Sequence, residues 1–137
     1  MGKSAGSSSP VSLPRLLAHA RRASRRAYAP YSGFAVGAAI EDVRGRCYLG
    51  ANIENAAFPL GVCAERVAIT EWRAAGGAPI RRIVVSTGRP TPTPPCGLCR
   101  DALLRWAPEA EVYLAFLGSY HGPFSPSEWL PGGAEGR

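Results

Sequence analysis

Two short stretches decide the reading of this chain: Cys63-Ala64-Glu65, and Pro95-Cys96-Gly97-Leu98-Cys99. Each stands where a loop enters a helical pattern. Helix N-termini carry free N–H groups and the positive end of the helix dipole, and both stabilise thiolates. Cys96 and Cys99 are three apart, so both sulfurs fall on one side of a first helical turn and can reach the same ion. Cys63 could supply a third sulfur. Three protein ligands leave one position open, and an open position marks a catalytic rather than a structural zinc site. Glu65 is then the expected proton carrier. In a regular helix, residues two apart do not face the same way. Cys63 and Glu65 can therefore share a site only if Cys63 keeps non-helical backbone angles at the helix entry. Gly61 permits such an irregular approach.

A closed zinc knot, or two buried thiols, competes with this reading for Cys96-x-x-Cys99 taken alone. A four-cysteine knot would recruit Cys47, but that residue lies in a strand pattern with no second cysteine near it. It reads as a small core residue. Neither His19 nor His121 lies beside the motifs.

Outward from these motifs the chain reads as strands and helices. A helix is expected from Val11 to Tyr28, with an apolar side of Leu13, Leu16, Leu17, Ala20 and Ala27 and with Pro14 in its first turn. Phe34–Ile40 reads as a buried strand, Arg44-Gly45-Arg46 as a hairpin turn, and Cys47–Asn52 as the return strand. Glu54–Val62 reads as a loop. Cys63–Ala75 reads as a helix stopped by Gly76-Gly77. Arg82–Thr87 has strand content, Arg89–Pro95 is a proline-rich loop, and Cys96–Trp106 is helical in pattern. Glu111–Phe116 reads as a strand, and Ser125 could cap a short final helix. Strands alternating with helices argue for a mixed sheet with helices packed on it.

The length of 137 residues suits one domain. The expected division is a loose Gly/Ser-rich tail at 1–10, a catalytic domain at 11–131 and a C-terminal tail at 132–137. No apolar run approaches a membrane span and no export signal is visible, so a cytoplasmic location and no membrane partner are the expectations. The formal charge is +6. Arg15, Arg21, Arg22, Arg25 and Arg26 share one expected helix, and a solvated helix face accounts for them. A nucleic-acid partner is therefore not expected.

The residues resemble the small, homotetrameric class of cytidine deaminases. The resemblance runs from about Tyr28 to Leu130. It is carried by Tyr31-Ser32-Gly33-Phe34-Ala35-Val36-Gly37-Ala38-Ala39, by Asn52-Ile53-Glu54-Asn55-Ala56, and by the two motifs extended to Pro59–Arg66 and Pro95–Arg100. A His or Cys followed two residues on by Glu, then Pro-Cys-x-x-Cys, is the signature of zinc deaminases. The resemblance implies a three-layer α/β/α fold with a mixed central sheet of about five strands. It implies one zinc ion per chain on Cys63, Cys96 and Cys99, with Glu65 catalytic. Asn52 and Glu54 would hold the sugar hydroxyls, Phe34 would pack on the pyrimidine, and the Ala64 N–H would meet the base. Arg66 would hydrogen-bond the ligand sulfurs.

The implied reaction is hydrolytic deamination of cytidine and deoxycytidine, with pyrimidine salvage as the usual setting. Two departures from the family are visible. Leu130-Pro131 is followed by no aromatic, where relatives carry one that reaches a neighbouring subunit's site. Ala57-Phe58 replaces a frequent Cys-Tyr. Two other readings remain: a deaminase of a modified cytosine nucleoside such as blasticidin S, and a zinc-stabilised nucleic-acid-binding module.

Overall fold

The computed structural model describes residues 11–56, 61–91 and 97–129. The expected tails at 1–10 and 132–137, the positions Ala57, Phe58, Pro59, Leu60, Pro95 and Cys96, and Leu130-Pro131 lie outside them. The elements in chain order are α1 (Leu13–Ser24), β1 (Val36–Asp42), β2 (Cys47–Ala51), α2 (Ala64–Ala74), β3 (Ile80–Thr87), α3 (Gly97–Trp106), β4 (Glu111–Phe116) and β5 (Ser119–Phe124). A 3-10 turn, Pro126–Trp129, follows.

The five strands form one sheet in the order β2-β1-β3-β4-β5. β1 is antiparallel to both β2 and β3. β3 and β4 are parallel, so α3 is the crossover between them. β4 and β5 are an antiparallel hairpin. The mixed sheet of about five strands is what the sequence reading expected.

Strand side chains alternate between faces, and the core divides accordingly. Ala38, Ile40, Ile83, Val85, Val112 and Leu114 pack with Ala64, Ala68, Ile69 and Trp72 of α2 and Leu103 of α3. Ala39, Val84, Tyr113 and Ala115 face the other way, against Leu16, Leu17 and Ala20 of α1. This is a three-layer α/β/α arrangement, with α1 alone on its face among the described residues. Both faces have one point where a helix backbone touches the sheet. A Cβ on Gly37 would overlap the Ala20 carbonyl of α1, and a Cβ on Gly50 would overlap the Ala64 carbonyl of α2. Gly50 thus sets how closely the first turn of α2 lies on β2.

Two differences from the sequence reading have physical reasons. α1 ends at Ser24, not Tyr28, because Tyr28 is drawn into backbone pairing. Its N–H donates to the Asn52 carbonyl at 2.9 Å, and the Glu54 N–H donates back to Tyr28 at 2.8 Å. The second is β5, which was not expected. Gly122 and Pro123 obscure its pattern, and proline is tolerated there because β5 is an edge strand. The hairpin turns on Leu117-Gly118, with Gly118 at φ 75°.

Candidate active site

Cys63 caps α2 with φ −78° and ψ 154°, which is extended backbone. The geometric condition posed by the two-residue spacing is met, because Cys63 stands outside the helix and Glu65 inside its first turn. An antiparallel bridge holds this entry. The Val62 N–H donates to the Ile53 carbonyl at 2.8 Å, and the Val62 carbonyl accepts from the Ile53 N–H at 2.9 Å. The segment around Ile53 is therefore bracketed, with Tyr28 pairing on one side and Val62 on the other. Main-chain bonds thus fix the segment that carries Asn52 and Glu54 beside the head of α2.

Glu65 is buried, as is Cys99 in the first turn of α3. The Cys99 thiol donates to the Glu65 carboxyl, and Cys63 lies near enough to act on it electrostatically. Burial pushes the Glu65 pKa up to about 7. Its own backbone N–H opposes the rise, Cys63 adds to it, and the Cys99 thiol and Arg66 oppose it. Ala64 is fully buried at the first helical position, where an N–H has no acceptor within the helix.

Arg66 turns back over the entry loop, its Nη2 donating to the Gly61 carbonyl at 3.4 Å. Its Nε is buried and has no partner among the described residues. This bears on the zinc implied by the resemblance. Two described thiols flank one carboxyl, and a half-buried arginine that acts on the same carboxyl has a buried N–H to spare. Soft sulfurs suit zinc, and a cation with a free donor suits excess thiolate charge. These residues fit the metal. The third expected ligand, Cys96, lies outside the described residues.

Glu54 accepts hydrogen bonds from the N–H groups of Tyr31 at 3.0 Å and Ser32 at 3.1 Å, and from the Ser32 hydroxyl. The serine hydroxyl and N–H, with the Tyr31 N–H, hold its pKa below the ordinary carboxylate value. Asn52 acts as a clamp on the start of β1. Its Oδ1 accepts from the Val36 N–H at 2.9 Å, and its Nδ2 donates to the Phe34 carbonyl at 2.9 Å. Phe34 is half-buried, and the Arg89 guanidinium lies 4.1 Å from its ring centroid.

The structure thus gathers Cys63, Ala64, Glu65, Arg66 and Cys99 at the heads of two helices. It sets Phe34, Asn52 and Glu54 together on a connected loop layer. Sequence reasoning gave no role to Ser32 or Arg89. Ser32 stood inside the motif that carried the resemblance, and a serine at a turn before glycine is a known side-chain-to-backbone bonder. Arg89 had no signal, because its partner Phe34 is distant in sequence.

A family model described as the cytidine and deoxycytidylate deaminase zinc-binding region matches residues 12–115. The chain belongs to that family, and it is an enzyme of the hydrolytic deaminase class. A cytidine deaminase of Halalkalibacterium halodurans is 40% identical over 118 residues, 85% of this chain and 89% of that one. A cytidine deaminase of Sporosarcina psychrophila is 33% identical over 123 residues, 89% of this chain and 90% of that one. The crystal structure of cytidine deaminase from Burkholderia pseudomallei superposes with a TM-score of 0.84 at 36% identity, covering 90% of this chain and 99% of that one. With these matches the binding-module alternative falls away as an account of the whole chain.

Proposed function

We propose that this chain hydrolyses cytidine and deoxycytidine to uridine and deoxyuridine with release of ammonia. Glu65 is the proton carrier, and Cys63, Cys96 and Cys99 hold one zinc ion per chain. The observation that carries this reading is the placement of a buried Glu65 at the head of α2, flanked by Cys63 and Cys99. Zinc, when bound, supplies an acidified water at neutral pH. Glu65 takes a proton from the attacking water and delivers it to the ring nitrogen N3, as oxygen bonds to C4. It then moves a second proton from that oxygen to the 4-amino group. The C4–N bond breaks, ammonia leaves and a C4 carbonyl remains. Phe34 faces the base, Ala64 offers its N–H to it, and Asn52 and Glu54 meet the sugar hydroxyls. Arg66 moderates the charge of the sulfurs through its spare N–H.

The exposed Tyr28, Tyr31 and Ile53 beside Glu54 support an apolar contact between copies, and we infer a homotetramer. Four times the 14.5 kDa chain mass is the mass expected in solution. No helix among the described residues is long and apolar enough to cross a membrane. We take the setting to be pyrimidine salvage in the cytoplasm. An absorbance assay with cytidine, deoxycytidine and blasticidin S, run beside a zinc determination, tests the proposal. Loss of the cytosine chromophore with ammonia release for the first two is the expected result. Turnover of blasticidin S alone, or of none of the three by a zinc-loaded sample, would overturn the substrate assignment.

A further inference from the structure

The formal charge of +6 is not spread over the chain. The first forty residues hold Lys3, Arg15, Arg21, Arg22, Arg25 and Arg26 and no acidic residue, while from Glu41 onward ten basic and ten acidic residues cancel. α1, with Arg25 and Arg26 just beyond its end, carries five of the six. All five arginines are exposed. Among the described residues none of them meets a carboxylate, because the ion pair found there is Arg82–Glu41. Arg21 donates to the Ser119 carbonyl at 3.4 Å, and Arg22 lies 3.1 Å from the His19 ring nitrogen.

The acidic residues packed near this layer do not answer the charge. Glu41 is taken by Arg82 and by the Val11 N–H, and Glu111 accepts from the Tyr113 hydroxyl. Arg21 and Arg25, and likewise Arg22 and Arg26, are like-charge pairs at the spacing where helix side chains are neighbours. The field registers on His19, whose pKa is held down by partial burial and then by Arg22 and Arg15. Cations near a helix C-terminus do complement its dipole, but that effect is confined to the last turn. Arg15 lies in the first.

We infer that the exposed face of α1 is a docking surface for the phosphate backbone of a nucleic-acid strand. Guanidinium forks match phosphate oxygens bidentately. From Arg15 to Arg26 the face would extend about 16 Å at helical rise, long enough to meet several phosphates. An acidic protein is a poorer fit, since stable protein interfaces need a buried apolar centre and the outward positions here are Ser12, Pro14, Ala18 and arginines. An anionic bilayer is a poorer fit for the same reason, because membrane-surface helices insert bulky apolar side chains. Charge alone suffices for nucleic acid, where counterion release drives binding. The sequence reading assigned these arginines to solvent. Their isolation on one face, with no carboxylate paired to them among the described residues, is what the fold adds.

The test is fluorescence anisotropy of a labelled short single-stranded RNA titrated with the full chain at about 50 mM and about 200 mM salt. The wild-type chain should bind and weaken with salt. Replacing Arg21, Arg22, Arg25 and Arg26 together by Gln should cost about tenfold or more in affinity and flatten the log–log salt slope by about 3. The corresponding Lys variant should keep most of the binding, and both variants should turn over cytidine as the wild type does. The paired variants Arg21→Gln/Arg22→Gln and Arg25→Gln/Arg26→Gln, which disturb the helix less, should each lose part of the affinity. No binding by the wild type at the lower salt, or undiminished binding by the Gln variants, would overturn the inference. So would tighter retention on phosphatidylserine-containing vesicles than on RNA.

Discussion

Glu65→Gln keeps the shape of the side chain and removes its ability to take a proton. Because neither thiol is touched, metal content should stay at the wild-type level while turnover falls by about 10^2- to 10^4-fold, the range of a single general acid–base group. Residual activity near wild type, with zinc retained, would assign the proton transfers elsewhere. Glu54 offers a second test at this scale. Its pKa lies below the ordinary value of 4.5 because the folded chain bonds the ionised form through Ser32 and Tyr31. The stabilisation is therefore present above pH 4.5 and is lost as the pH falls through the lower, folded value. Ser32→Ala should move the Glu54 titration back toward 4.5 in a carboxyl NMR titration, and an unmoved midpoint would mean that the main-chain donors suffice alone. Cys63 and Glu65 were legible from spacing because an i, i+2 pair poses a geometric question with one answer. The double use of Asn52, as clamp for both Phe34 and Val36, was not. It depends on a main-chain segment sixteen to eighteen residues away.

Gly50 sits under the first turn of α2, and nothing larger fits between the Ala64 carbonyl and the Ala68 N–H. Gly50→Ala must lift the helix that carries Glu65. A loss of about 1–3 kcal/mol in urea unfolding is expected from overpacking, together with slower turnover. Gly88→Ala is the control, since a Cβ there meets nothing within 4 Å, and it should unfold like the wild type. Elements whose side chains alternate or repeat toward one face were readable along the chain. β4 was placed at Glu111–Phe116, as observed, and α2 to within one residue at each end. The errors fell where tertiary pairing overrides local preference. The last turn expected for α1 is given up to pair Tyr28 with the strand-like segment at Ile53. β5 has five exposed positions and so lacks the apolar alternation by which a strand declares itself.

The whole molecule is closed at the end of the sheet away from the site by a buried ion pair. Arg82 Nε lies 2.7 Å from Glu41 Oε1, with the two side chains 13% and 0% exposed. The second Glu41 oxygen takes the Val11 N–H, and Arg82 donates to the Val11 carbonyl. One pair thus ties two central strands to the start of α1. Glu41→Ala leaves Arg82 and the Val11 N–H without their acceptor, so a loss of about 3–5 kcal/mol is expected in urea unfolding. The variant Glu41→Ala/Arg82→Ala should recover part of that loss. Equal losses in the two would show that the cost lies in packing rather than in the stranded charge.

The parallel pairing of β3 with β4 has a consequence in time as well as in space. Cys63 and Glu65 leave the ribosome early. Cys99 comes later, on the helix that crosses over to the parallel strand Glu111–Phe116. A nascent chain that stops before that strand already holds all these side chains but lacks the parallel pairing that follows α3 in the sheet. With Cys63 and Cys99 as the proposed ligands, metal loading belongs after that strand has been made.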